Sequence, residues 1–150
     1  MKNLLIIAVL FVASFVTSCK KDEATTPTKT KKEIMVSKTW VANEVVILGA
    51  VVAYKRGNKP ADNILDLDKV TLTFNTDGTL AGLDNSGKAI TGAKWTISSD
   101  ESKVTISGVG VVGIDGEKTV TQATETNLDL SGIVPYNGQN VSALIKSVPK

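Results

Sequence analysis

The chain has 150 residues, with 17 lysines and arginines against 15 acids, no histidine and one cysteine. Without histidine, Ser-His-Asp and Cys-His catalysis are excluded, as are histidine-based zinc sites. The small positive balance comes without a basic stripe interleaved with aromatics, so nucleic-acid binding has no footprint.

The first segment reads as an address. Lys2 supplies a positive start, and Leu4 to Val16 form an apolar run of thirteen residues. A spanning helix needs roughly 20, so a simple transmembrane anchor does not fit. Val16-Thr17-Ser18 then leads into Cys19, the only thiol of the chain. This pattern predicts a signal peptide over residues 1–18 that ends in a lipobox, with Cys19 acylated after cleavage. A diacylglycerol thioether plus an amide-linked chain would leave neither a free thiol nor a disulfide, and would anchor the protein stably. Cys19-Lys20-Lys21-Asp22-Glu23 also resembles the surface-export signal of lipoproteins in some Gram-negative lineages: cysteine, any residue, lysine, two acids. The resemblance implies display outside the outer membrane, with Lys21, Asp22 and Glu23 as the signal.

Residues 19–32 read as a lipidated tether. After the cysteine come five lysines, two acids, four threonines and one proline without a large apolar residue. Such a segment cannot bury enough surface to offset its ordering entropy, so disorder is expected. From Glu33 to Lys150 eleven basic residues face thirteen acids. The positive balance therefore belongs to leader and tether, beside anionic headgroups.

Residues 33–150 predict one domain, large enough for a single core. Lys38 to Ile47 reads as a strand, with Ala50 to Tyr54 pairing back across Leu48-Gly49. Residues 55 to 68, with Pro60, read as a loop containing a helical turn. Val70, Leu72 and Phe74 alternate with Thr71 and Thr73, the period of a strand with one buried face. Asp77-Gly78 supplies a hairpin turn and the chain returns through Thr79 to Leu83. After Asp84 to Lys88 comes a strand through Ala93, Trp95 and Ile97, then a polar turn and Val104 with Ile106. Asp115-Gly116 reverses the chain before Lys118 to Thr124. Leu128 and Leu130, then Val141, Ala143 and Ile145, mark the last strands. No segment carries a sustained helical period. The expected fold is all-β, an antiparallel up-and-down barrel of about eight strands, with a two-sheet sandwich as the alternative.

Three segments carry a family resemblance. They are Thr39-Trp40, Leu72-Thr73-Phe74-Asn75-Thr76-Asp77-Gly78-Thr79, and Gly92-Ala93-Lys94-Trp95-Thr96-Ile97. The chain looks like the lipocalin-like lipoprotein domains of Gram-negative surface proteins. A tryptophan strand, an F-N-x-D-G-T hairpin and a second W-x-I/L strand recur there. The motifs cover residues 36 to 107, and Lys38 stands where true lipocalins carry glycine two places before the tryptophan. The resemblance implies a barrel and specifies no ligand.

The remaining candidates weigh towards structure. Gly108-Val109-Gly110-Val111-Val112-Gly113 spells G-x-G-x-x-G, but Ile114-Asp115-Gly116 follows where a dinucleotide site needs a helix. Bending of a barrel strand is the expected role. Asp62, Asp66 and Asp68 lack calcium-loop spacing, and Asp100 and Glu101 are neighbours in a turn rather than a facing hydrolase pair. Trp40 and Trp95 sit in strands, where core packing outweighs sugar stacking. No cofactor or metal is implied. The expectation is a membrane-anchored, non-catalytic module that holds a small apolar or amphipathic ligand in the barrel mouth. Trp40, Leu72, Phe74, Trp95 and Ile97 would be its inward residues. The alternative is a structural or interaction lipoprotein with a filled core, contacting another surface protein or a glycan through loops, a barrel edge or an apolar patch around Val109 to Ile114. Cavity volume separates the two.

Overall fold

The computed structural model describes residues 28–150. Cys19 and the Lys21-Asp22-Glu23 signal lie outside the described residues, as does the leader. The first element is a short helix, α1 (Lys31–Val36), begun by a capping box. The Thr30 hydroxyl accepts from the Glu33 N–H at 3.2 Å, and the Glu33 carboxylate accepts from the Thr30 N–H at 2.8 Å. Glu101, reaching from a distant turn, accepts from the Lys31 and Lys32 N–H groups at 2.7 and 3.3 Å. First-turn donors that would face water are thereby satisfied. This corrects the boundary read from composition: Lys31 and Lys32 belong to a helix, not to the tether. Ile34 and Met35 are buried against the barrel.

Nine strands follow: β1 (Thr39–Ile47), β2 (Val51–Lys55), β3 (Thr71–Phe74), β4 (Leu80–Leu83), β5 (Lys94–Ile97), β6 (Lys103–Ser107), β7 (Gly116–Ala123), β8 (Leu128–Tyr136) and β9 (Gln139–Pro149). One 3-10 turn, Pro60–Asp62, lies in the loop after β2. All pairings are antiparallel, and the sheet runs β4-β3-β1-β9-β8-β7-β6-β5. Its two edge strands meet. Leu80 N–H donates to the Ala93 carbonyl and Trp95 N–H to the Gly78 carbonyl, each at 2.9 Å, around a Thr79–Lys94 bridge. The sheet therefore curls into a nearly closed eight-position barrel, and the sandwich alternative is set aside. Closure removes most of the free edge that an open sheet would expose.

The second position of the barrel is composite. On one edge of β1, β3 pairs with Thr39 and Trp40, and β2 pairs with Glu44 to Ile47. Residues 41 to 43 have no strand partner on that edge. Arg56 fills the gap: its N–H donates to the Asn43 carbonyl and its Nε to the Ala42 carbonyl, both at 2.8 Å. Backbone acceptors left by a broken ladder are thus satisfied by one residue.

Strand alternation carries the core. Val104 and Ile106 of β6, Leu128, Leu130 and Val134 of β8, and Val141, Ala143 and Ile145 of β9 all point inward and are buried. Val134 pairs with Val141 and Leu130 with Ile145, so inward residues face inward partners. Gly82 marks the tightest approach. Its φ is +155°, and a Cβ there would lie 1.8 Å from the Thr71 carbonyl oxygen, so only glycine lets β4 close on β3.

Candidate functional site

The five residues expected to face the barrel mouth are in the core or beside it. Trp40, Phe74 and Trp95 are buried, and Leu72 and Ile97 are half-buried against the same cluster. Phe74 meets Trp95 edge to face, with centroids 5.2 Å apart and planes at 83°. Both indoles are tied to backbone. Trp40 Nε1 donates to the Met35 carbonyl and Trp95 Nε1 to the Asn75 carbonyl, each at 2.9 Å. The cavity between Trp40, Phe74, Leu67, Val70, Ile106 and Leu128 measures about 20 Å³. That is room for roughly one water, against the 300–1,000 Å³ or so of small-molecule pockets.

Both ends of the barrel are plugged. Helix α1 covers the end where β1 begins. At the other end the β6–β7 loop folds inward: of its apolar side chains Val109, Val111 and Ile114 are buried, and Val112 alone is exposed, at 58%. The glycines make that loop possible, since Gly108, Gly110 and Gly113 all have φ between +72° and +85°. Asp115 locks it, its carboxylate accepting from the Val109 and Gly110 N–H groups at 3.0 Å each. The G-x-G-x-x-G run therefore forms a plug, where a bend within a strand was expected. The expected apolar patch over Val109 to Ile114 is turned into the core.

Beneath the plug lies a lysine that the sequence reading did not single out. Lys118 is 1% exposed, and its Nζ donates to the Asp115 carbonyl at 2.8 Å. Burial pushes its pKa below the usual lysine value, and the Asp115 charge offsets part of that effect. Its stem crosses Gly132, its cross-strand neighbour: a Cβ on Gly132 would lie 2.5 Å from Lys118 Cδ and 3.0 Å from the Glu117 carbonyl. The signal was present in the alternation, because Lys118 shares the inward phase of Val120.

The acidic candidates do not converge. Asp62 and Asp66 are exposed, and Asp68 accepts from the Tyr54 hydroxyl at 2.9 Å. Burial, followed by the bond to Asp68, pushes the buried Tyr54 phenol up to about 12. Among the described residues no group of three or more histidine, cysteine, aspartate or glutamate side chains could hold a metal ion. Asp100 is a turn residue whose carboxyl is drawn down to about 2 by the Ser98 hydroxyl and by the backbone and hydroxyl of Ser102. Glu101 caps α1, and Tyr136 is half-buried at the end of β8.

Apolar surface gathers on the outside instead. Across β2, β1 and β9, Val52 pairs with Val46 and Val46 with Leu144, all on the outer face. Beyond them Leu48 N–H donates to the Ser142 carbonyl, and Ser142 pairs with Ile133. Leu48, Val52 and Ile133 are 57%, 47% and 58% exposed. The row sits at the β1–β2 hairpin, nine β1 residues away from α1, or about 30 Å at strand rise.

Fold and site together describe a small antiparallel barrel with a filled interior and an apolar outer rim. No protein-family model matches the chain, and no curated protein matches it.

Proposed function

We propose that this protein is an outer-membrane, surface-displayed lipoprotein of lipocalin-like type, whose barrel is a non-catalytic contact module. Cys19 would carry the lipid anchor, and Lys21, Asp22 and Glu23 would direct export. The observation that carries the reading is the interior of about 20 Å³. An apolar ligand binds by burying its surface at roughly 25 cal/mol per Å², and a barrel plugged at both ends has no wall left to offer. Function then falls to the exterior. A tether entering at α1 would place the Leu48, Val52 and Ile133 rim at the far end, where another surface protein or a glycan would meet it.

Native mass spectrometry of residues 20–150, purified without detergent, tests this reading. A clean apo mass that stays unshifted with fatty acids and haem-like compounds is expected. A retained small molecule that leaves on gentle activation would return the function to the barrel interior.

A further inference from the structure

The outer face that carries the apolar rim also carries a pattern of charge. Outward side chains of four neighbouring strands form one row across the sheet. Asp129 of β8 pairs with Lys146 of β9, Lys146 with Glu44 of β1, and Glu44 with Lys55 of β2. The signs alternate along the row: minus, plus, minus, plus. At its centre Lys146 Nζ donates to Glu44 Oε1 at 2.6 Å, with the two side chains 40% and 21% exposed. The next outward row towards the rim holds no charge: Ser131, Leu144, Val46 and Val52, paired across the same four strands.

A face can meet its own copy in a closed pair only if its pattern matches itself under a two-fold rotation. An axis along the charged row sets Asp129 on Asp129 and Lys146 on Lys146, and like charges held face to face repel. An axis along the strands, between β9 and β1, reverses the row instead. Lys146 of each copy then meets Glu44 of the other, and Asp129 meets Lys55 at the flanks. The same rotation lays Leu144 of each copy on Val46 of the other. The barrel wall is convex, so contact centres on β9 and β1, where the ion pair and the Leu144–Val46 pair both lie. This axis also keeps both α1 ends on one side of the pair, where two anchors would reach a single membrane.

We propose that this face is a self-association surface, on which a second copy of the chain docks with Lys146 against Glu44 and Leu144 against Val46. This rests on the contact-module reading and names its partner. Four strands at about 4.8 Å spacing make a face about 14 Å wide. That is well short of the roughly 800 Å² per partner of a standard interface, so the pair is weak in solution. Two copies anchored in one membrane would meet at a raised effective concentration.

Sedimentation equilibrium of residues 20–150, which contain the whole described fold, tests this at concentrations up to about 1 mM. The parent protein should self-associate reversibly, and less so as salt is raised. Glu44→Lys and Lys146→Glu each set like charges together at the centre, so each alone should associate about tenfold more weakly. Mixed in equal amounts, the two variants should pair at least as well as the parent, because every charge in the row then meets its opposite. Leu144→Glu leaves the ion pair intact and should abolish association, which decides the matter if a charge variant fails to fold. A parent that stays monomeric to about 1 mM, single variants that associate as the parent does, or an equal mixture that stays monomeric would each overturn the proposal. None of these results touches the contact-module reading, which falls to a small molecule retained inside the barrel.

Discussion

Replacing Phe74 with alanine probes the filled interior at its centre. Phe74 is 1% exposed and stacks edge to face on Trp95. Removing the ring opens a void of about 100 Å³, which at about 24 cal/mol per Å³ costs about 2.4 kcal/mol. Lost transfer free energy adds about 1.5–2 kcal/mol. The expected destabilisation is therefore about 4 kcal/mol, within the usual range for a buried Phe→Ala change. Urea unfolding followed by tryptophan emission measures it, and the m-value should stay constant. The void should also be dry and apolar, so benzene should stabilise Phe74→Ala and leave the parent protein unaffected. A loss under about 1 kcal/mol, with m unchanged, would refute the claim that the ring is held in a packed interior.

Three further outcomes follow from particular contacts. Gly132→Ala should cost about 1–3 kcal/mol because the new methyl meets Lys118 Cδ at 2.5 Å, and pairing it with Lys118→Ala should recover part of that loss in a double-mutant cycle. Lys118 has a folded-state pKa below its unfolded value, so between the two the unfolded chain holds the extra proton and stability rises with pH. Chemical denaturation at a series of pH values rising towards the ordinary lysine range should show that rise in the parent protein, and Lys118→Met should flatten it. Replacing Lys21, Asp22 and Glu23 with alanine should keep the protein membrane-bound yet shield it from protease on intact cells, and unchanged cleavage would remove the export signal from the account.

The barrel was legible because its strands are half-buried and short. Val70, Leu72 and Phe74 against Thr71 and Thr73 state the period directly, and Asp77-Gly78 allows a tight reversal with Gly78 at φ +83°. Closure was less so, since alternation gives faces but not which strands become neighbours at the ends of the chain. Helix α1 was overlooked because six residues hold too little periodicity, although Thr30-Lys31-Lys32-Glu33 spells its capping box. The core residues Trp40, Phe74 and Trp95 were identified correctly. Whether they line a space or fill one depends on α1 and the Gly108 to Asp115 plug, both long-range packing events. Arg56 was invisible for the same reason: the gap it fills exists only once β2 and β3 share an edge of β1.

The most direct test of the filled barrel uses the two tryptophans, Trp40 and Trp95, which are the only ones in the chain. Titrating residues 20–150 with a brominated fatty acid reads their surroundings, because bromine quenches an indole only at close range. A packed interior predicts emission that stays constant through the titration. Saturable quenching would mean that the acyl chain enters beside Trp40 and Trp95, and that the barrel is a ligand carrier after all.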